Sequence, residues 1–246
     1  MNHPRSGFAA PPQGGTAGGP AKPDPRRLLG EARARGWAVA RPFADYSLPI
    51  AGQVQCALAR GWLGLGLIAL IGSGLFSLLL VLARTPGVNA WLPAGGDFFR
   101  IALVIHVDLS VLVWFSAIAG MLWSLNTSAR GAAWSWAALG LCAAGALLMS
   151  VAAFVGGGGP VMANYIPVLT SPLFHAGLTV FGAGATLQVL RSLWAAERIG
   201  PVVSGAGALR FGLNASVVSA AVALLAMGWS LVQVPMALDG KAYYEI

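Results

Sequence analysis

The chain has 246 residues, of which 57% are hydrophobic and only 9% are charged. Soluble globular domains carry about 25% charged residues, so this composition excludes a soluble globular protein and predicts a polytopic membrane protein. The net charge is +7, but eight of the fifteen Lys and Arg residues precede residue 61. This basic excess therefore indicates membrane orientation, and we expect no nucleic-acid partner.

Residues 1–30 are polar and rich in Pro and Gly, which predicts disorder, and they contain no apolar core of a signal peptide. Together with the mixed stretch that follows, they predict a disordered and juxtamembrane segment over residues 1–57. The remainder, residues 58–246, is predicted to be the transmembrane region.

Five hydrophobic runs are each about as long as a helix must be to cross a bilayer. They predict an all-α membrane bundle with five transmembrane helices. Several glycines in the first and fourth runs, among them Gly72, Gly177 and Gly184, predict faces for close helix packing or for a flat cofactor. The five predicted spans are residues 62–82, 98–125, 134–155, 169–190 and 213–234.

The distribution of basic residues between alternate loops predicts the orientation. The N-terminal segment, the 126–131 turn and the 191–210 loop hold twelve Lys and Arg residues, and the opposite side holds Arg84, Arg100 and Lys241. The positive-inside rule therefore predicts a cytoplasmic N-terminus in a bacterial-type inner membrane. Spans 2 and 4 would then both run from the outside inward.

Two histidines lie inside these inward-running spans. His106 is about 12 Å below the start of span 2, and His175 is about 9 Å below the start of span 4, at 1.5 Å per helical residue. Neutral imidazole is a good axial ligand of haem iron, so a pair at matched depth can in principle clamp one haem. The alternative is that each imidazole only bonds a neighbouring helix.

Other polar residues accompany His106 along span 2. Asp108 points to nearly the opposite side of the helix, where a structural role with an arginine or backbone partner is the favoured interpretation and a place in a proton path is the alternative. Ser110 shares the face of His106, and its hydroxyl can bond back to the helix. Arg100 is a candidate to hold a haem propionate or to act as an interfacial anchor.

The two cysteines form no CxxC pair, so neither a disulfide framework nor a thiolate metal site is predicted. Cys142 falls inside span 3, and Cys56 falls just before span 1. The final residues, 241–246, resemble the first turn of a sixth helix, which predicts a truncated or split chain.

The segment ALVIHVDLSVLVWFSAIAGMLW resembles the second helix of subunit I of the haem–copper oxidase superfamily, which includes cytochrome c oxidases, quinol oxidases and nitric oxide reductases. The NYIPVL segment and the YYEI ending are similar to those of divergent chains of that type. The resemblance implies that His106 ligates a low-spin haem near the outer face. It also implies that the copper-site histidines lie in later helices, so copper is not expected in this chain.

Three hypotheses follow. The first is the N-terminal portion of an oxidase subunit I, an oxidoreductase component of aerobic respiratory electron transport. It would be incomplete for oxygen reduction alone and would be partnered by other oxidase subunits or the rest of subunit I. The second is a self-contained cytochrome b-like protein with haem between His106 and His175. The third is a membrane scaffold or assembly protein without a cofactor.

Overall fold

We describe the protein from a computed structural model. The contacts divide the chain into residues 1–41 and residues 42–246. The predicted N-terminal disorder and the start of a sixth helix lie almost wholly outside the described residues. These are residues 24, 26–27, 30, 46–48, 52–88, 98–155, 158–162, 167–200 and 204–233.

Five helices in the second unit are long and apolar enough to cross a membrane, which confirms the prediction of an all-α polytopic bundle. A short antiparallel pair of strands, β1 (Pro160–Val161) and β2 (Val168–Leu169), connects the third helix to the fourth. The helices are α1 (Gln53–Arg84), α2 (Phe98–Leu125), α3 (Ala132–Val155), α4 (Pro172–Trp194) and α5 (Gly205–Gln233).

Helix α1 begins at Gln53, nine residues before the predicted span, so the expected boundary at 57/58 falls inside it and Cys56 is helical. The first turn escaped prediction because Gln53 and Gln55 make it polar; Gln53 and Val54 are exposed, whereas Gln55 faces protein. Gln55 is only 3% exposed and its amide is within hydrogen-bonding distance of the carbonyl of Thr127. Helix α4 instead begins three residues later than predicted, because Leu169 belongs to β2.

Helices α1 and α2 pack antiparallel, and glycines on each helix face large side chains on the other. A Cβ on Gly72 would lie 3.2 Å from the Leu109 side chain, and one on Gly120 would lie 2.6 Å from the indole of Trp62. This pairing runs along most of α2, from the end that carries the strand pair to the end that carries the 126–131 turn. We call these the hairpin end and the basic end.

Helix α3 lies between this pair and α4. At the hairpin end, the ring of Phe154 on α3 packs against Phe76 of α1 and Phe98 of α2, with centroids 5.7 and 6.1 Å apart. On its other side, α3 touches the backbone of α4 at Gly145 and Gly177. This confirms the packing role predicted for Gly177 and Gly184 but not for Gly182, where an added Cβ would meet nothing within 4 Å.

Helix α5 is joined to the bundle at the basic end. The indole N–H of Trp123 donates to the hydroxyl of Ser216 at 2.9 Å, and the Asn126 amide donates to Asn214 at 2.7 Å. Most of the other large apolar side chains of α5 are exposed, including Leu225 and Val232, as expected for a helix whose surface contacts lipid.

Replacing Gly145 by Ala is expected to destabilise the bundle, because the new Cβ would lie 2.5 Å from the backbone N of Phe181. Backbone atoms cannot rotate away, so we expect a loss of about 2 kcal/mol of unfolding free energy. The measurement is the midpoint of thermal unfolding in detergent.

The matched control is Gly140→Ala on the same helix, where an added Cβ meets nothing within 4 Å. This variant should be unchanged or slightly more stable, since Ala has the higher helix propensity. Equal loss of stability in both variants would contradict the packing described for α3 and α4.

Candidate functional site

The polar contacts of His106 join α2 to α1. Its Nδ1 lies 2.9 Å from the carbonyl oxygen of Ser73 and 2.9 Å from the Ser73 hydroxyl. In return, the Ser73 hydroxyl donates to the carbonyl of His106 at 3.1 Å. Ser73 is only 3% exposed, so this exchange takes place inside the bundle.

The chemistry of these contacts fixes the proton on the imidazole. A backbone carbonyl can only accept, so the Nδ1 of His106 must carry the hydrogen that is donated to Ser73. In a neutral imidazole the other nitrogen then has a free lone pair. Nε2 makes no hydrogen bond with the described residues, so it remains available to a ligand.

Just after His106 the helix changes its winding. Asp108–Val113 is π-helical, and the N–H of Trp114 reaches the carbonyl of Leu109, five residues back. The Ser110 hydroxyl donates to the His106 carbonyl at 2.7 Å, as the sequence predicted. π-Helical turns within α-helices occur frequently at functional sites, and here one adjoins the candidate ligand.

Asp108, the first residue of this π-helical turn, is 1% exposed. Neither of its carboxylate oxygens has a hydrogen-bond partner among the described residues. The predicted structural role, in which an arginine or backbone group pairs with this carboxylate, is therefore wrong for that part of the chain. A buried polar group without a partner costs stability, so Asp108 is a candidate functional residue that its structural contacts do not explain.

His175 lies in the first turn of α4 and is half-buried. Its Nδ1 donates to the carbonyl of Ser171 at 3.0 Å, and its ring stands edge-on to Phe174 with centroids 6.2 Å apart. The carbonyl again requires the proton on Nδ1. The polar contacts of His106, however, are with Ser73 and Ser110, so no direct contact couples the two histidines.

Arg100 is exposed at the hairpin end of α2. The neighbouring cation–π contact belongs to another arginine, because the guanidinium of Arg84 lies 4.0 Å from the ring centroid of Phe99. Both predicted roles of Arg100, propionate contact and interfacial anchor, stay predictions. No group of three or more His, Cys, Asp or Glu side chains converges within the described ranges.

A buried polar cluster at the basic end was not predicted from the sequence. Arg191, counted as a loop cation in the charge asymmetry, is 3% exposed inside α4. Its guanidinium donates to the Thr127 hydroxyl and to the backbone carbonyls of Ser128 and Arg130. One turn earlier, Gln188 lies within hydrogen-bonding distance of hydroxyls on α2 and α3. The only signal was an arginine placed at helical spacing after an apolar run.

Comparison with known proteins gives partial matches. The chain is 30% identical to an uncharacterized protein of Rickettsia prowazekii (strain Madrid E) over an alignment of 165 residues, which covers 56% of this chain and 31% of that protein. It is 31% identical to an uncharacterized protein of Aquifex aeolicus (strain VF5) over 134 residues, covering 54% of this chain and 33% of that protein. The chain thus spans about a third of the length of these relatives. No protein-family model and no solved structure matches it.

Replacing Asp108 by Asn is expected to raise the thermal unfolding midpoint at neutral pH, because a neutral amide costs less to bury than a carboxylate without a partner. We expect a gain of about 1–3 kcal/mol in unfolding free energy. Asn126→Asp, which places a carboxylate where a buried amide donates to Asn214, is the reciprocal control and should lower stability. A large loss of stability in Asp108→Asn would show that the carboxylate is paired.

Proposed function

We propose that this chain is a haem-binding electron-transfer unit of a respiratory membrane protein that resembles subunit I of haem–copper oxidases. His106 is the axial ligand to a low-spin haem. The observation that carries the proposal is the bond from the Nδ1 of His106 to the carbonyl of Ser73, 2.9 Å long, which leaves Nε2 with a free lone pair. Histidine ligands in metal sites almost always donate their second ring N–H in this way.

The residues around His106 suit this role. The Ser73 carbonyl fixes the orientation of the ring and, by accepting a hydrogen bond from Nδ1–H, raises the basicity of the ligating nitrogen. The Ser110 hydroxyl donates to the His106 carbonyl at 2.7 Å, so this carbonyl has a hydrogen-bond partner where the helix changes to π-helical winding. A haem held by this imidazole would supply one-electron redox chemistry, whose potential depends on axial ligands and burial. Asp108, buried and unpaired two residues after His106, is a candidate to carry a proton in a proton path.

The remaining components of an oxidase would come from outside the described ranges. No histidine follows His175 in this sequence, so a copper site would need other parts of subunit I or other subunits. We therefore propose electron transfer, and not oxygen reduction by this chain alone. The charge asymmetry supports an inner membrane with a cytoplasmic N-terminus, which would place His106 in the outer leaflet.

A second candidate is a cytochrome b-like protein in which His175 supplies the opposite axial ligand. One observation favours it, because the Nδ1 of His175 is also tied to a backbone carbonyl, that of Ser171, at 3.0 Å. The packing favours the first proposal, because α3 lies between helix α4 and the half of α2 that carries His106. Each of these two elements packs against a separate surface of α3.

Histidine variants distinguish these candidates. In membranes from haem-replete cells, the wild type should show the visible spectrum of a bound haem, and His106→Ala should lose it because the axial nitrogen is gone. His175→Ala should retain it under the first proposal and lose it under the second. His3→Ala is the matched control. A spectrum unaffected by His106→Ala would overturn both ligand assignments, and no haem in the wild type would leave only the scaffold hypothesis.

The hydroxyl of Ser73 should act on the ligand itself. Ser73→Ala removes the hydroxyl at 2.9 Å from Nδ1 but keeps the carbonyl, so we expect haem affinity to fall about tenfold by equilibrium titration. Ser110→Ala removes contacts with the backbone carbonyls of His106 and Val107 but none with the imidazole ring, and it should leave the affinity unchanged. Equal losses in both variants would assign the hydroxyls to helix stability instead.

A further inference from the structure

Helix α5 is the least enclosed of the five long helices. Only 6% of its membrane-spanning stretch is buried, whereas the other four have 22–39% of theirs buried. Its side-chain hydrogen bonds to α2 lie at the basic end, where Ser216 accepts from Trp123 and Asn214 accepts from Asn126. Toward the hairpin end, every residue of the stretch 225–230 is exposed. Within the described part of the chain, this half of α5 therefore has almost no protein around it.

The exposed surface of α5 has two chemically different faces. The large face carries bulky apolar side chains that are each more than half exposed, namely Phe211, Val218, Val222, Leu225 and Trp229. The small face carries residues whose alternating spacings of four and three keep them on one side of a helix. Its members, all exposed, are Gly212, Ser216, Ser219, Ala223, Ala226 and Ser230. A Cβ added at Gly212 would meet nothing within 4 Å.

These two faces suit different neighbours. Bulky apolar side chains suit lipid, whereas small residues in membrane helices are enriched where another helix packs, because they let the two backbones approach closely. A neighbour at this depth must satisfy its own backbone hydrogen bonds, which a transmembrane helix does. The hydroxyl of Ser219 can also donate across such a contact. The chemistry of the small face therefore fits an apolar transmembrane helix.

The length of the relatives points to the source of that helix. The match covers 31% of the Rickettsia prowazekii protein and 33% of the Aquifex aeolicus protein, so about two thirds of each lies outside it. We propose that the small face of α5 is the docking surface for a transmembrane helix from the part that these relatives possess outside the match. The proposal does not depend on haem binding at His106, so each can fail without the other.

The first test is co-purification in mild detergent. The tagged full chain is co-expressed with the part of the Rickettsia prowazekii relative outside the match, made as a separate polypeptide, and we expect the two to purify together. Ala223→Trp should reduce the recovered partner about tenfold, because an indole overfills a close helix contact. Val222→Trp, one residue away on the large face, is the matched control and should not. No co-purification with the wild type, or equal losses in both variants, would overturn the proposal.

Spin labels on Ala223→Cys and Val222→Cys, with Cys56 and Cys142 replaced by Ala, identify what covers each face. In the chain alone, oxygen dissolved in the bilayer should reach both labels equally. In the co-purified complex, the oxygen accessibility of the label at 223 should fall several-fold and that at 222 should not change. An unchanged label at 223 in the complex would assign the small face to lipid. Magnetic coupling between labels at 223 in the chain alone would assign it to a second copy, and either result overturns the proposal.

Discussion

The hydrogen bonds between Ser73 and His106 are the interaction on which the account depends. In the interior of a membrane bundle an imidazole has little water to bond, so its partner decides where the ring points and which nitrogen holds the proton. The Ser73 carbonyl determines both the orientation of the His106 ring and the nitrogen that carries the proton. It can do so because α1 and α2 approach closely beside it, where Gly72 admits the side chain of Leu109.

The packing of the other helices holds this pair in place. Glycine contacts fix α3 against α4, and aromatic rings from three helices meet around Phe154 at the hairpin end. At the basic end, Arg191 binds the turn that follows α2. The bundle thus supports His106 from both ends, while the backbone beside it is π-helical and the adjacent Asp108 is unpaired. Such local departures from regular structure are expected where function competes with stability.

The sequence predicted the number of helices, the position of His106 along its helix and the bond from Ser110 to the His106 carbonyl, because all three depend on composition or spacing along one helix. It did not predict that Ser73 would be the partner, since hydrophobic periodicity does not determine which helices meet or how each is rotated. The burial of Arg191 was missed for a related reason. A count of charges treats an arginine at a helix end as exposed, and only tertiary contacts show that it binds a turn.

The most direct test of the central claim is a cryo-EM map of the full chain purified from haem-replete cells, at a resolution that shows side chains. The account predicts a planar density bonded to the Nε2 of His106, with Nδ1 still at the Ser73 carbonyl. A map in which apolar side chains pack against Nε2 and no planar density adjoins it would contradict the account.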